Sequence, residues 1–137
     1  MYSHSFEDAR GALPVLHWKG CVRVPDNLRG NGVTAAMDGT IYDSVQMKNG
    51  ATQNDYFLGK ITGGLYQWKP SDKVWRLLPG TEFAGNNGVE ISKDETEIYQ
   101  AVSGTHSIEI ISLKDTRRPV RRLPPARCRR TPRRHGS

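Results

Sequence analysis

The apolar positions of this chain fall in short runs separated by polar turns, which is typical of β-strands. Residues 64–69 (GLYQWK) and 74–78 (VWRLL) are two such runs, with a proline-containing turn between them. Residues 107–113 (SIEIISL) are also rich in β-formers, and residues 21–24 (CVRV) are a further short run. No segment shows a convincing helical period. The pattern therefore predicts an all-β chain of short strands.

One motif occurs twice, 56 residues apart. Residues 31–42 read NGVTAAMDGTIY and residues 87–99 read NGVEISKDETEIY, so the Asn-Gly-Val beginning, the aspartate and the closing Ile-Tyr recur in the same order. Each copy has a polar turn that contains aspartate between two β-type runs, and Asp-Gly in such a place is a strong hairpin signal, because glycine supplies a positive φ at no steric cost. Each copy is thus predicted to be a β-hairpin, and the repeat predicts a stack of similar units.

Hairpins that repeat at this distance fit a β-propeller, whose four-stranded blades span ~40–50 residues each. The extra length falls in residues 47–62, which are polar and which we interpret as a loop or lid. We expect an irregular N-terminal segment at 1–20, a partial propeller of about two blades at 21–113 and a disordered Arg/Pro-rich tail at 114–137. A β-sandwich or a small barrel is the alternative fold.

Charge is distributed unevenly along the chain. The formal net charge is +6, but residues 114–137 hold nine arginines and one lysine against one aspartate, so that segment carries +9 and the rest carries −3. The tail has too few apolar residues to fold alone. Three interpretations stay open: a basic arm that contacts nucleic-acid phosphates, a solvated linker, or an out-of-frame extension, of which we favour the last.

Three segments together resemble the gluconolactonase and senescence-marker-protein (regucalcin) family of β-propellers. Residues 29–32 (RGNG), followed by an Asp-Gly turn, are similar to a family segment that holds an arginine and a metal-site asparagine. Residues 87–99 look like the family's NG-hydrophobic-x-hydrophobic-S-x-D stretch, and residues 63–66 (GGLY) resemble its G-x-L-Y strand. The resemblance covers about residues 21–113. It implies a six-bladed propeller with one divalent cation, often calcium, in its central channel, and hydrolysis of sugar lactones and related esters.

Matched by position, the resemblance implies roles for three residues. Asn87 would bind the metal directly through its amide oxygen. Asn31 would face the same channel, in the inner metal or substrate shell, and Arg29 would contact polar groups of the substrate. Calcium suits such a site because it is a hard cation that takes oxygen ligands, including asparagine carbonyls. The ion would polarise the lactone carbonyl and stabilise the oxyanion that develops.

The family's two carboxylate ligands have no counterpart at the expected positions. One lies in an E-G-P stretch that this chain lacks, and the other belongs to a later blade, where the arginine-rich tail stands instead. Two neutral amides bind calcium weakly, because affinity rises with the charge of the ligands. We therefore expect a truncated, inactive member of a metal-dependent lactone or ester hydrolase family. The alternative is a non-enzymatic NHL-like propeller fragment that binds a protein or nucleic acid.

The remaining expectations concern partners and other chemistry. The open sides of an incomplete propeller predict self-association. The chain has no long apolar stretch and no leader pattern, which predicts a cytoplasmic protein with no membrane partner. Cys21 and Cys128 lack the spacing of a zinc site or a disulfide framework, and no serine stands in a G-x-S-x-G context. His106 is predicted to be a turn or strand-edge residue.

Overall fold

The computed structural model describes residues 2–4, 16–18, 20–115 and 119–124, and about half of these lie in β-strands, with one short helix as the other regular element among them. The elements in chain order are β1 (Tyr2–His4), β2 (Leu16–Trp18), β3 (Leu28–Ala35), β4 (Ile41–Lys48), α1 (Gln53–Phe57), β5 (Gly64–Trp68), β6 (Trp75–Leu77), β7 (Asn86–Ile91), β8 (Glu97–Val102), β9 (Ser107–Ser112) and β10 (Pro119–Leu123). The all-β prediction is therefore confirmed.

Two four-stranded antiparallel sheets make up the body of the protein. The first sheet has the order β3-β4-β5-β6 and the second has the order β7-β8-β9-β10, so in both sheets each strand pairs with the next strand in the chain. Each sheet begins with one copy of the repeated motif. Across the described residues the two sheets do not close into a ring or barrel.

Aspartate-containing turns form both predicted hairpins. In the turn between β3 and β4, Asp38 accepts a hydrogen bond from the backbone of Thr40 at 2.8 Å, and Gly39 has a φ of +84°. In the turn between β7 and β8, Asp94 accepts from the hydroxyl of Ser92 at 2.7 Å. These hydrogen bonds lower the pKa of both carboxyl groups, because they favour the charged form. The same local chemistry therefore closes both copies of the repeat.

The hydrophobic core lies between the two sheets. Tyr42 and Leu65 of the first sheet contact Ile98 and Ile111 of the second, and all four are buried. Partly buried apolar side chains pack around them, among them Leu78, Phe83, Val89, Ile91 and Leu113. Each sheet buries one face against the other, which is the usual reason that two sheets pack.

The connection between β4 and β5 contains a short helix as well as loop. Thr52 caps α1 by accepting from the backbone N–H of Asp55, and the Asp55 carboxylate accepts from the backbone N–H of Thr52 at 2.9 Å. Lys60 donates to Asp55 at 2.8 Å, and this bond, with those from Thr52, lowers the pKa of Asp55 to about 2. Tyr56 on this helix is buried. The segment is thus folded onto the body.

Three sequence expectations about the chain's edges differ from the structure. Residues 21–24 are irregular rather than a strand. The N-terminal segment is not wholly irregular, because Tyr2–His4 pairs with Leu16–Trp18. Pro119–Leu123, within the predicted disordered tail, forms the fourth strand of the second sheet by pairing with β9. Backbone pairing needs few apolar side chains, which is why the hydrophobic pattern missed this strand. The rest of the tail, residues 116–118 and 125–137 including Cys128, lies outside the described residues.

Arg122 attaches β10 to the second sheet through a buried carboxylate. Glu109 on β9 is 1% exposed and accepts hydrogen bonds from the Ser107 hydroxyl, at 3.0 Å, and from the Arg122 guanidinium. A buried carboxylate that loses its cation keeps its desolvation cost. Replacing Arg122 by alanine is therefore expected to lower the free energy of unfolding by about 2 kcal/mol, as measured by urea denaturation.

Arg121 provides the matched control for this change. It is the adjacent exposed arginine on the same strand. Arg121→Ala is expected to change the free energy of unfolding by only about 0.5 kcal/mol, as is usual for an exposed surface residue. Equal effects of the two substitutions would show that the ion pair with Glu109 does not attach β10.

Candidate functional site

The two Asn-Gly strand beginnings lie against each other. An added Cβ at Gly32 would be 3.1 Å from the Val89 nitrogen and 3.2 Å from the Asn87 carbonyl oxygen, so β3 and β7 touch at backbone level. Further along the same strands, the Thr34 hydroxyl donates to the Glu90 carboxylate at 3.0 Å. Positions 34 and 90 are equivalent in the repeat, because they are 56 residues apart. The repeated strands thus pack with equivalent positions in contact.

A buried polar network fixes this junction of β3 and β7. The Gly32 N–H donates to the Ser44 hydroxyl at 3.0 Å, and that hydroxyl donates to the Asn87 carbonyl. From the other sheet, the Gln100 side chain donates to the Gly88 carbonyl at 3.1 Å. Ser44 and Gln100 are fully buried. Their roles were not predicted, because the sequence does not show which strand will pack over a serine or a glutamine.

The two predicted metal ligands, Asn31 and Asn87, lie on β3 and β7, the strands that contact each other. Asn31 is exposed, and its side-chain nitrogen donates to the Gln46 amide oxygen at 3.4 Å. Asn87 is half-buried, and its side-chain nitrogen donates to the Ser103 hydroxyl at 3.0 Å. Each amide therefore uses its nitrogen as a donor, which leaves the side-chain oxygen as the atom that would meet a cation.

The predicted substrate contact, Arg29, lies two residues before Asn31 on β3. It pairs with Met47 in the register, next to a bulge at Gly30, and its side chain is exposed. Bulges re-aim side chains and are frequent beside binding sites. Arg29 is therefore close to Asn31, near the beginning of β3.

These residues provide part of a calcium coordination shell and not a whole one. Calcium takes six to eight oxygen ligands and binds more tightly as carboxylates are added. Asn31 and Asn87 contribute neutral oxygens. Nowhere in the ranges that the structure describes do three His, Cys, Asp or Glu side chains gather closely enough to hold a metal ion. The fit to calcium is thus weak on these residues alone.

Asp43 is a buried carboxylate that sequence reasoning missed. It lies on β4, is 6% exposed and lines a cavity of about 470 Å³ together with Asn31 and Trp75. Burial raises the pKa of its carboxyl group, because desolvation disfavours the charged form. The alternation of β4 did mark residues 41, 43 and 45 as one face, but nothing in the sequence showed that this face would be covered.

His106 is exposed, in the turn before β9, with a φ of +51°, which agrees with the predicted turn position. Within the described ranges, no helix has the length and apolar character needed to cross a lipid bilayer.

No protein-family model matches the chain, and no curated protein matches it. The resemblance of residues 21–113 to the gluconolactonase and regucalcin propellers therefore stays a prediction that rests on the three segments quoted above.

Proposed function

We propose that the two sheets are adjacent blades of a β-propeller of the gluconolactonase and regucalcin lineage. In that proposal the Asn-Gly strand beginnings face the central channel, where a complete ring hydrolyses a lactone or ester with the help of a divalent cation, calcium. The chain by itself supplies two amides and one arginine to such a channel. We therefore expect it to bind calcium weakly and to hydrolyse no lactone on its own.

The contact between equivalent positions of the repeat is the observation that carries this proposal. Gly32 packs on the backbone of residues 87–89, and Thr34 bonds to Glu90. At the turn, the Met37 N–H donates to the Glu95 carboxylate at 2.7 Å. Two identical supersecondary units that pack through their first strands are the arrangement of neighbouring blades around a propeller axis. A sandwich does not require equivalent residues to meet in this way.

The outer face of the first sheet supports the same proposal. This face is the one turned away from the second sheet, and Val33 on it is 68% exposed. In a propeller every blade is covered on both faces by its neighbours. An apolar residue such as Val33 would then be buried by the preceding blade.

Calcium stabilisation is the test of the proposed site. Because a cation that binds only the folded state raises stability by mass action, millimolar calcium is expected to raise the urea midpoint of the chain. The rise is expected to be small, since the ligands are neutral, and to disappear in Asn87→Ala. Asn54→Ala is the control, because Asn54 is exposed on α1, away from β3 and β7.

The outcome separates a metal site from a structural asparagine. Loss of the calcium shift in Asn87→Ala, with the shift kept in Asn54→Ala, supports the site. If calcium shifts all three proteins equally, or shifts none of them, Asn87 is not a ligand. In that case its amide serves only to bond Ser103 within the second sheet.

A further inference from the structure

The cavity beside Asp43 has apolar walls and one charged side chain. It lies between the irregular residues 20–25 and the outer face of the first sheet. Its apolar lining residues are Val22, Val24, Val33, Ala35, Ile41 and Trp75. Trp75 is held in place, since its indole N–H donates to the Arg23 carbonyl at 2.9 Å. A cavity of about 470 Å³ is in the size range of sites that bind small organic molecules.

The Asp43 carboxylate is buried here without a protein partner. Its side chain is on the opposite face of β4 from Tyr42, which enters the core between the sheets. The residue is 6% exposed, and among the described residues none donates a hydrogen bond to either oxygen. Gly30 leaves space for this group, because an added Cβ there would be 2.6 Å from both carboxylate oxygens. Buried charges in proteins are normally paired, and this carboxylate lines a cavity in which the donor group of a ligand can reach it.

The chemistry of the walls selects the kind of ligand. A calcium ion needs six to eight oxygens, whereas Asp43 provides the one carboxylate among the residues that line this cavity. An anion would be repelled by Asp43. A molecule with one cationic donor group and an apolar body satisfies both the carboxylate and the walls.

We propose that this cavity binds a small organic cation whose ammonium group pairs with Asp43 and whose apolar body lies against Ile41, Val24 and Trp75. The site rests on Asp43, which the calcium proposal does not use, and it is proposed for this chain by itself. The face of the Trp75 ring would also attract the ammonium group through a cation–π interaction.

The binding test uses the whole chain, with benzylamine as the probe and benzyl alcohol as the uncharged control. Benzylamine is expected to shift the Trp75 indole N–H resonance in a saturable way at neutral pH. Benzyl alcohol is expected to bind at least about tenfold more weakly, since it keeps the apolar body and lacks the charge. Equal binding of the two compounds, or no saturable shift with benzylamine, would overturn the proposal.

Two substitutions test the role of the carboxylate, and a third is their control. Asp43→Asn is expected to weaken benzylamine binding at least about tenfold. Gly30→Ala keeps the carboxylate but crowds it, and is expected to weaken binding as well. Asp26→Asn removes an exposed carboxylate that pairs with Arg23, and is expected to leave binding unchanged. If Asp43→Asn binds benzylamine as tightly as the original chain, Asp43 is not the partner of the amine.

Stability measurements distinguish loss of binding from loss of fold. Burial raises the pKa of Asp43 in the folded state above the 3.8 of an unfolded chain. The folded protein therefore has its full stability from the neutral carboxyl group below pH 3.8. It loses that contribution as the pH rises through the pKa of the folded state. Asp43→Asn is thus expected to raise the urea midpoint at neutral pH. Tyr66 is the ionisable residue paired with Asp43 in the register with β5, and Arg23, on the covering segment, pairs with Asp26. A folded Asp43→Asn variant that no longer binds benzylamine would support the proposal.

Discussion

Replacing Ile98 by alanine is expected to lower the free energy of unfolding by about 2–5 kcal/mol. Ile98 on β8 is fully buried and belongs to the core cluster that joins the two sheets. The substitution removes buried apolar atoms and leaves a cavity that rigid strands cannot collapse to fill. Urea denaturation followed by circular dichroism measures the loss. A domain of this size has a total stability of only about 5–15 kcal/mol, so the variant is expected to be partly unfolded at room temperature if the protein is at the low end.

Ile108 gives a control of the same residue type in the same sheet. It lies on β9, the neighbouring strand, and is 41% exposed. Ile108→Ala is expected to lower the free energy of unfolding by about 1 kcal/mol or less, because much of its surface is already in water. If the two variants unfold at the same urea concentration, the core does not lie between the sheets at Ile98.

Local turn chemistry explains why much of the fold was predictable. Asp38 and Asp94 close their turns with hydrogen bonds to residues no more than two positions away, so the signal is contained in a few letters of sequence. The strands on either side of Pro70 were likewise predicted from the proline-containing turn between them. The recurrence of one motif then predicted two similar units, and the structure contains one sheet built on each copy.

The sequence did not predict the elements that depend on contacts with distant parts of the chain. The five-residue helix α1 is too short to show a period, and its only sequence signal is the capping pair Thr52 and Asp55. Strand β10 lies in an arginine-rich segment and is attached through Glu109, which is distant in sequence. Residues 21–24 have strand-forming side chains but no strand partner, and they lie against Trp75 instead.

The candidate site shows the same division between local and long-range information. Asn31 and Asn87 were predicted from a repeated motif, and the structure places them on strands that touch. Ser44, Gln100 and Asp43 could not be predicted in the same way, because their burial depends on which surfaces cover β4 and β8. A polar residue in a strand most often faces water. Only the packed sheets show that Ser44 and Gln100 hold the junction together and that Asp43 faces a cavity.

Replacing Gly63 by alanine is expected to cost about 3 kcal/mol or more in the free energy of unfolding. An added Cβ at this position would be 1.9 Å from the Val45 carbonyl oxygen, a distance at which the backbone of β4 must move. Gly63 also lies where the first sheet meets the segment before β7. Its neighbour Thr62 donates to the Gln46 carbonyl at 2.9 Å and accepts from the Gly85 N–H at 3.1 Å. Displacing this segment therefore disturbs both sheets at once.

Gly88 separates this steric effect from the general cost of changing a glycine. It lies on β7 in the second Asn-Gly motif, its φ is not positive, and an added Cβ would meet only the Ala101 methyl at 3.9 Å, an ordinary contact. Gly88→Ala is thus expected to change the free energy of unfolding by about 0.5 kcal/mol or less, as measured in the same urea titration. Similar losses in the two variants would mean that β4 can move aside at Gly63. The first sheet would then give way at the point where residues 62 and 63 join it to the segment before β7, and the hydrogen bonds of Thr62 would not hold that point rigidly.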